Sequence, residues 1–540
     1  MSLDTEPAFE LTGPLPAGVT VLEASAGTGK TFTIAALTAR YVAEGLPLES
    51  LLLVTFTRIA TGELRERVRE RLVSAERELT RVLAGAEVTE GDEVAALLAG
   101  GDRETVRLRR DRLTAAVSGF DAATIATTHG FCQAVLAELG TLGDLEPDAI
   151  FAEDVEDLIE EVIDDLYVRR FHHAEAAELT RAEAGRVARM AIANPGARLH
   201  PRDAAGEGLA AMRARLAKAA CDELERRKRA LAVMTYDDLL TRLCHTLQGE
   251  RGAVAAARLR ARYRVVLIDE FQDTDPIQWE IVRRAFGEGS VTLVLIADPK
   301  QAIYAFRGAD VYAYLDAVGG AALQTLSVNR RSDQPLIDGF DALFGHARLG
   351  HPRIAYRRVQ AAACHRAPRL HGAPSEAALR FRVVDRSQAS ISLTYNGYAS
   401  SATARQHIAR DLAAEAVALL GSGAMIDQRA ESGETTSQVA VRPGDLAVLV
   451  QSHRNAALVQ EELQDAGVRA VINGAGSVFA TGAGQDWLTL LEALERPASP
   501  PRARAAARPP AGVGGEGRIL TWPIRRFRNP MAPRSRAATS

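Results

Sequence analysis

One short segment constrains this chain more than any other: Ala24-Ser-Ala-Gly-Thr-Gly-Lys-Thr31. It sits between an apolar run, Val19–Ala24, that predicts a buried strand and a helical stretch from Lys30 to about Glu44, with Gly45 as a stop. Strand, small-residue loop and helix in that order let backbone N–H groups wrap a polyphosphate at the helix N-terminus. Ala24, Ser25, Ala26, Gly27, Thr28, Gly29, Lys30 and Thr31 are therefore the candidate nucleotide contacts of a P-loop, with alanine at 24 where the usual first glycine stands. Lys30 would neutralise the β- and γ-phosphates and the Thr31 hydroxyl would ligate Mg²⁺. An ordinary glycine turn is the competing reading. Lysine usage weighs against it: only four of the 65 basic residues are lysine (Lys30, Lys218, Lys228, Lys300), and Lys30 occupies the position the chemistry requires.

A second segment, Leu267-Ile-Asp-Glu-Phe-Gln-Asp-Thr-Asp275, supplies the acids such a site needs. A buried strand normally excludes carboxylates, so two in succession at its carboxyl end point to chemistry. Asp269 can hold the Mg²⁺ through water, and Glu270 can orient and deprotonate an attacking water.

The 540 residues exceed what one core organises, and short apolar runs alternate with helical stretches, which predicts an α/β fold with a parallel sheet. The spacing predicts further strands at 51–56, 123–127, 265–270 and 292–298, and a helix over 59–83. In each case the polar residues come at a strand's carboxyl end, where open α/β sheets place ligands. Helical insertions are expected at about 70–120 and 145–262, so residues 1–324 read as one unit. The acids of 153–166, at helical spacing, read as a solvated helix face. A second α/β unit is expected over 325–500, with strands at 379–384, 445–450 and 468–472 and helices at 404–420 and 455–466.

Composition narrows the function classes. The net charge of −4 divides into +8 on residues 501–540, where nine arginines face one acid, and −12 on the rest. An acidic body of this kind binds nucleic acid only in a local groove. The four cysteines are scattered without a CxxC pair, which excludes a zinc knuckle or disulfide framework and suits a reducing cytoplasm. No apolar run predicts a membrane span, and the acidic N-terminus lacks the layout of a signal peptide. Neither a membrane partner nor secretion is expected.

Four more segments complete a pattern: Thr55-Phe-Thr57, Thr127-Thr-His-Gly-Phe131, Ala297-Asp-Pro-Lys-Gln-Ala-Ile-Tyr-Ala-Phe-Arg-Gly308 and Asn329-Arg-Arg-Ser332. With the P-loop and the acid pair, they resemble the ordered motifs of UvrD-like superfamily 1 DNA helicases. Glu23–Ile34, Thr61–Arg65, His129–Cys132 and Met234–Leu240 are similar to the RecB subfamily, the β subunits of the RecBCD helicase-nuclease (exonuclease V). The resemblance spans about Phe9 to Ala507. It implies a P-loop NTPase motor domain of RecA-like sheet, part of a second RecA-like domain, and ATP with Mg²⁺ as cofactors. It also implies ATP-dependent DNA helicase activity in double-strand-break repair and recombination, with RecC- and RecD-like partner subunits acting on single-stranded DNA and DNA ends.

Residue by residue, the resemblance assigns Gln301 to γ-phosphate sensing and Arg331 to an arginine finger, beside Asp269 and Glu270 as the hydrolytic pair. Phe56, Tyr304 and Phe306 match positions that stack single-stranded bases. Thr57, Thr128, His129 and Arg307 match phosphate-contacting or supporting positions; core aromatics are the competing reading of Phe56 and Phe306, and His129 reads equally as a cap of the helix that follows it. Asp237 and Asp238 read as helix caps. Two departures stand out: Arg330 occupies the position of an adenine-stacking aromatic, and no glutamine precedes Gln133. Two other readings stay open, a non-translocating ATP- and DNA-binding fragment and a free-standing UvrD/Rep-type helicase. The late helicase motifs and a nuclease segment find no counterpart, so the expectation is a truncated chain that binds ATP, with at most slow turnover and without strand separation. From Arg508 the apolar periodicity stops and prolines and glycines accumulate, which predicts an unpacked basic tail arising from a frameshift, with a native disordered tail that helps hold DNA as the competing reading.

Overall fold

The computed structural model describes residues 7–140, 150–152, 154–173, 178–194, 198–202, 208–305, 308–388, 390–430, 435–474 and 482–496, with isolated positions 499, 502 and 504. The basic tail expected from 508 onward lies outside the described residues, as do Phe306 and Arg307.

Eight strands organise the first part of the chain: β1 Val19–Ala24, β2 Leu51–Thr55, β3 Thr124–Thr127, β4 Ile150–Phe151, β5 Val233–Met234, β6 Val265–Ile268, β7 Thr292–Ala297 and β8 Ala322–Leu326. Six of them form one parallel sheet in the order β3-β2-β6-β7-β1-β8, and β4 pairs with β5 separately. The helices between them are α1 Lys30–Ala43, α2 Arg58–Leu83, α3 Glu93–Ala99, α4 Arg103–Ser118, α5 Thr128–Leu139, α6 Glu156–Phe171, α7 Arg181–Ile192, α8 Leu209–Ala230, α9 Tyr236–Gln248, α10 Gly252–Arg262, α11 Pro276–Phe286 and α12 Val311–Val318.

Side chains alternate across a strand, so a strand buried on both faces must be apolar throughout. The middle strands obey this. Leu51 and Leu53 join one hydrophobic cluster while Leu52 and Val54 join the other. Val265 and Leu267 likewise face one way, Val266 and Ile268 the other. The first face is covered by α1 through Ile34 and Leu37, by α2 through Leu64, Val68, Leu72 and Leu79, and by α3 and α4. The second face is covered by α5, α9, α10, α11 and α12. Both insertions thus pack partly as sheet-covering layers. Only α6, α7 and α8 make a cluster of their own, around Ile159, Val162, Ile163, Ala188, Ala220 and Leu224.

Several expectations need correction. Strand β6 stops at Ile268, so Asp269 and Glu270 lie beyond it; Glu270 adopts a left-handed backbone, φ 50°, which no ladder strand accommodates. The acids of α6, by contrast, do form the solvated face expected, with Glu156, Asp157, Glu161, Asp164 and Asp165 exposed, and they add surface ion pairs. Glu160 pairs with Arg181 and Arg189, Glu156 with Arg189 at 2.7 Å, and Asp165 with Arg227, which ties α6 to α7 and α8. The expected unit boundary at Thr325 falls inside β8, whose Thr325 carbonyl accepts from the Phe9 N–H at 2.9 Å.

Beyond β8 come β9 Val328–Asn329, α13 Gln334–Phe344, β10 Gln360–Ala361, β11 Leu370–His371, α14 Ser401–Gly421, β12 Met425–Arg429, β13 Thr435–Ala440, α15 His453–Asp465 and α16 Gly482–Glu495. Residues up to 382, with 422–441, cluster as one compact unit and 383–421 with 442 onward as another. Strands β11, β12 and β13 make a small antiparallel sheet in the first unit. In the second unit, α14 and α15 pack through Ala413, Leu463 and Val468. The helices expected at 404–420 and 455–466 are these two. The strands expected at 379–384, 445–450 and 468–472 are not formed. An apolar run becomes a strand only where a neighbour takes its ladder bonds, and none of the described residues does so for these.

The burial pattern has a direct test. Leu295 in β7 is fully buried at 0% exposure and Val383 is 88% exposed. Leu295→Ala should cost roughly 2–5 kcal/mol, and Val383→Ala less than about 0.5 kcal/mol. Urea-unfolding midpoints followed by circular dichroism compare the two, and equal shifts would contradict the two-faced core.

Candidate nucleotide site and nucleic-acid face

β1 delivers the chain to Ala24 and α1 begins at Lys30, so five residues turn the loop. Gly27 and Gly29 take φ of 81° and 85°, which only glycine adopts without strain. The Thr28 amide and hydroxyl both donate to the Ser25 carbonyl, at 3.2 and 2.8 Å, and hold the loop tight. Gly29 caps α1 without a side-chain acceptor, so no side chain occupies the first-turn N–H groups.

The turn Asn329–Ser332, just past the end of β8, is laced onto this loop. Asn329 donates from Nδ2 to the Ala26 carbonyl at 3.0 Å, and the Arg330 amide donates to the Gly27 carbonyl at 2.7 Å. The Asn329 Oδ1 in turn accepts from the amides of Arg331 and Ser332, at 2.8 and 2.9 Å. A Cβ on Gly27 would stand 2.8 Å from both Arg331 Cβ and Asn329 Oδ1. The backbone of Arg331 therefore abuts the loop it is expected to serve. Arg330 lies with its guanidinium 5.7 Å from the centre of the Phe32 ring, and Arg71 lies 6.0 Å from it. Arg71 is fixed by two bonds to Asp92, at 2.6 and 2.7 Å. The residue that departs from the aromatic pattern is thus a cation stacked beside an aromatic one turn into α1.

Lys30 pairs with Glu270 Oε2. Gln272 donates from Nε2 to the same oxygen at 2.8 Å, while its Oε1 accepts from the Asp298 amide at 2.9 Å. The Asp298 carboxylate takes Gln301 Nε2 at 2.6 Å and Lys300 Nζ at 2.7 Å. Glu23, buried in β1, forms an ion pair with Arg357 at 2.8 Å and accepts from the Tyr314 hydroxyl at 3.3 Å. The Asp269 amide is anchored to the Val54 carbonyl at 2.8 Å. Desolvation, with Glu270 alongside, pushes the Asp269 carboxyl up to about 6. A carboxyl in that state is one a bound cation would return to its ionised form, and Thr31 stands at the start of α1 beside Lys30.

The structure thus joins Lys30, Glu270 and Gln301 in one cluster, the last through Asp298 and Gln272. Gln272, Asp298 and Asn329 carry bonds that no spacing in the sequence announces. Their signal was polar type at near-complete burial: Gln272 and Asp298 are each 1% exposed.

On the other half of the same sheet edge, Phe56 follows β2 and its ring centre lies 5.2 Å from that of Tyr304. Thr57 caps α2 by accepting from the Ala60 amide at 3.1 Å. Thr128 opens α5, capped by Thr127. His129 meets Asp237 at 3.7 Å and the Tyr236 ring edge-on at 6.0 Å, and Arg58 donates to the Tyr236 hydroxyl at 2.9 Å. Phe56, Thr57, Thr128, His129 and Tyr236 line a cavity of about 2050 Å³. Helix α9 is capped by Thr235, with Asp238 completing the capping box, so Asp237 is not a cap; its partner is His129.

The sequence profile of the UvrD/REP helicase N-terminal domain matches residues 9–319, the stretch that builds this sheet and its loops. The chain belongs to the UvrD/REP helicase family. Among curated proteins it is similar to the RecBCD enzyme subunit RecB of Mycolicibacterium smegmatis, 44% identical over 504 residues, and of Mycobacterium tuberculosis, 45% identical over 506 residues. Each alignment covers 92% of this chain and 44% of the relative, so the chain spans under half the length of these relatives. RecB of Escherichia coli is 33% identical over 282 residues, 51% of this chain and 23% of that protein.

The contact between loop and turn gives a prediction. Gly27→Ala must displace the Asn329–Ser332 turn as well as strain the loop, so affinity for magnesium nucleotide should fall at least tenfold. Gly18→Ala, also at positive φ but with nothing within 4 Å, should leave affinity unchanged. Calorimetric titration checks both, and equal effects would refute the close approach.

Proposed function

We propose that this chain is an ATP-hydrolysing DNA motor of the RecB type, coupling hydrolysis to movement on single-stranded DNA in double-strand-break repair and recombination. The observation that carries the reading is the meeting of Lys30 and Glu270 at the mouth of the P-loop, with the loop of Gln301 tied to the same carboxylate.

In this reading Gly27–Thr31 cradle the phosphates and Lys30 exchanges its carboxylate partner for them. That exchange frees Glu270 to orient and deprotonate water. Thr31 and Asp269 fit a Mg²⁺ ion, which when bound offsets charge on the phosphates. Gln301 leaves Asp298 to meet the γ-phosphate, and Arg331 stabilises charge on the phosphoryl group in flight. Arg330 and Phe32 hold the base by stacking, without the hydrogen bonds that would select adenine.

Phe56 and Tyr304 stack bases, with Thr57, Thr128 and His129 alongside, and Phe306 and Arg307 are assigned to the same strand of DNA. No described helix is long and apolar enough to cross a membrane. The relatives are named as a subunit of the RecBCD enzyme, which supports a multisubunit setting, so we assign RecC- and RecD-like subunits as partners, DNA ends as substrate and the cytoplasm as the location.

Titration with magnesium ATP and a phosphate-release assay test the reading together. Lys30→Ala should abolish measurable binding. Glu270→Gln should bind as tightly as the unchanged chain or tighter, because Lys30 loses its competing carboxylate, while release of phosphate stops. Unaltered affinity in Lys30→Ala would overturn the assignment.

A further inference from the structure

One buried side chain joins the acid pair to the loop that carries Tyr304. Gln272 is 1% exposed, and each end of its amide is engaged. The Oε1 accepts from the backbone N–H of Asp298 at 2.9 Å, the first residue of the loop after β7. The Nε2 donates to Glu270 Oε2 at 2.8 Å and more weakly to Asp273 Oδ2 at 3.3 Å. An amide is rigid, so a shift of the loop at Asp298 is delivered to Glu270 unless one bond is broken. Burial leaves no water to replace a broken one.

The loop at the far end of this amide serves two surfaces at once. Gln301 is turned back onto Asp298 at 2.6 Å, a charge-assisted bond it must surrender to reach a phosphate. Three residues on, Tyr304 packs against Phe56 at 5.2 Å. Lys300, just before Gln301, is drawn to Asp298 at 2.7 Å and lies 3.9 Å from Glu23 at the end of β1. Whatever moves Tyr304 therefore pulls on a short segment pinned at Asp298. Glu270, for its part, has two side-chain partners among the described residues, Lys30 and Gln272. Once phosphates engage Lys30, Gln272 is the side chain left to hold it.

We propose that Gln272 is the positioning residue that couples single-stranded DNA on the Phe56–Tyr304 face to the hydrolytic carboxylate Glu270. The inference rests on the motor reading above and adds to it a route by which one ligand biases the other. A route of this kind is established by a coupling measurement, not by adjacency. Because coupling is reciprocal, it can be read from binding alone, without turnover.

The experiment uses the full chain and two probes, the magnesium complex of a non-hydrolysable ATP analogue and an oligo(dT) strand. Analogue affinity is measured without and with saturating oligo(dT), and oligo(dT) affinity without and with analogue; both ratios must agree. In the unchanged chain oligo(dT) should alter analogue affinity at least fivefold. Gln272→Met, which keeps the shape and removes the amide, should reduce that factor to below twofold. Its analogue affinity without DNA should stay within threefold of the unchanged chain. Gln272→Glu keeps an acceptor for Asp298 and loses the donor to Glu270; it should uncouple likewise and serves if the methionine variant does not fold.

Coupling in a folded variant equal to that of the unchanged chain overturns the proposal. So does a loss of coupling matched by an equal loss of analogue affinity without DNA, the mark of a merely structural role. A chain that binds both probes without coupling overturns it while leaving the motor reading's two sites intact. A chain that binds neither probe overturns both.

Discussion

Everything in the first unit depends on one constraint: six strands run the same way, so their carboxyl ends share one edge of the sheet. The order β3-β2-β6-β7-β1-β8 then decides what lies beside what. At β3 and β2 the following residues are Thr128, His129, Phe56 and Thr57. At β6 and β7 they are the acid pair and the loop of Gln301, and at β1 and β8 they are the P-loop and the turn of Asn329–Ser332. Across the edge, candidate DNA contacts give way to the acid pair and the loop of Gln301, and then to the candidate nucleotide contacts. A parallel sheet makes this arrangement available because each crossover helix is carried to a face and leaves the strand ends open.

Ion pairs and charge-assisted hydrogen bonds hold the edge together. Lys30 and Glu270 satisfy each other across the cleft, and Asp298 gathers Lys300 and Gln301. Buried charges need such partners, and a new partner of higher charge can replace an old one without leaving either ion bare. Polyphosphate has that property toward Lys30. The fixed parts are those with apolar backing: β1, β6 and β7 are buried on both faces, while Glu270 and Gln301 stand on residues beyond the strands' ends.

Much of this was legible in the sequence, and the reason is locality. Strand, glycine loop and helix at 19–43 is a local grammar, and the structure places β1 at Val19–Ala24 and α1 from Lys30 as the pattern requires. The acid pair was legible because two carboxylates at the end of an apolar run are costly without a purpose. What was not legible is long-range. Gln272 and Asp298 lie 26 positions apart, and nothing in either segment announces the bond. The acids of α6 were legible as a solvated face, but not their arginine partners, which come from α7 and α8. Thr235 rather than Asp237 caps α9, since a hydroxyl and an N3 carboxylate make a reciprocal pair and Asp237 is drawn to His129. The runs at 379–384, 445–450 and 468–472 have strand-like composition, but composition does not provide a neighbour.

The account stands or falls on whether the two ends of this sheet edge communicate. The most direct measurement is the rate of phosphate release from magnesium ATP by the 540-residue chain, with and without oligo(dT), under conditions where both are shown to bind. A rate that rises several-fold on adding oligo(dT), however slow without it, is the predicted result. A rate indifferent to bound oligo(dT) would contradict the central claim that the sheet edge is one coupled site.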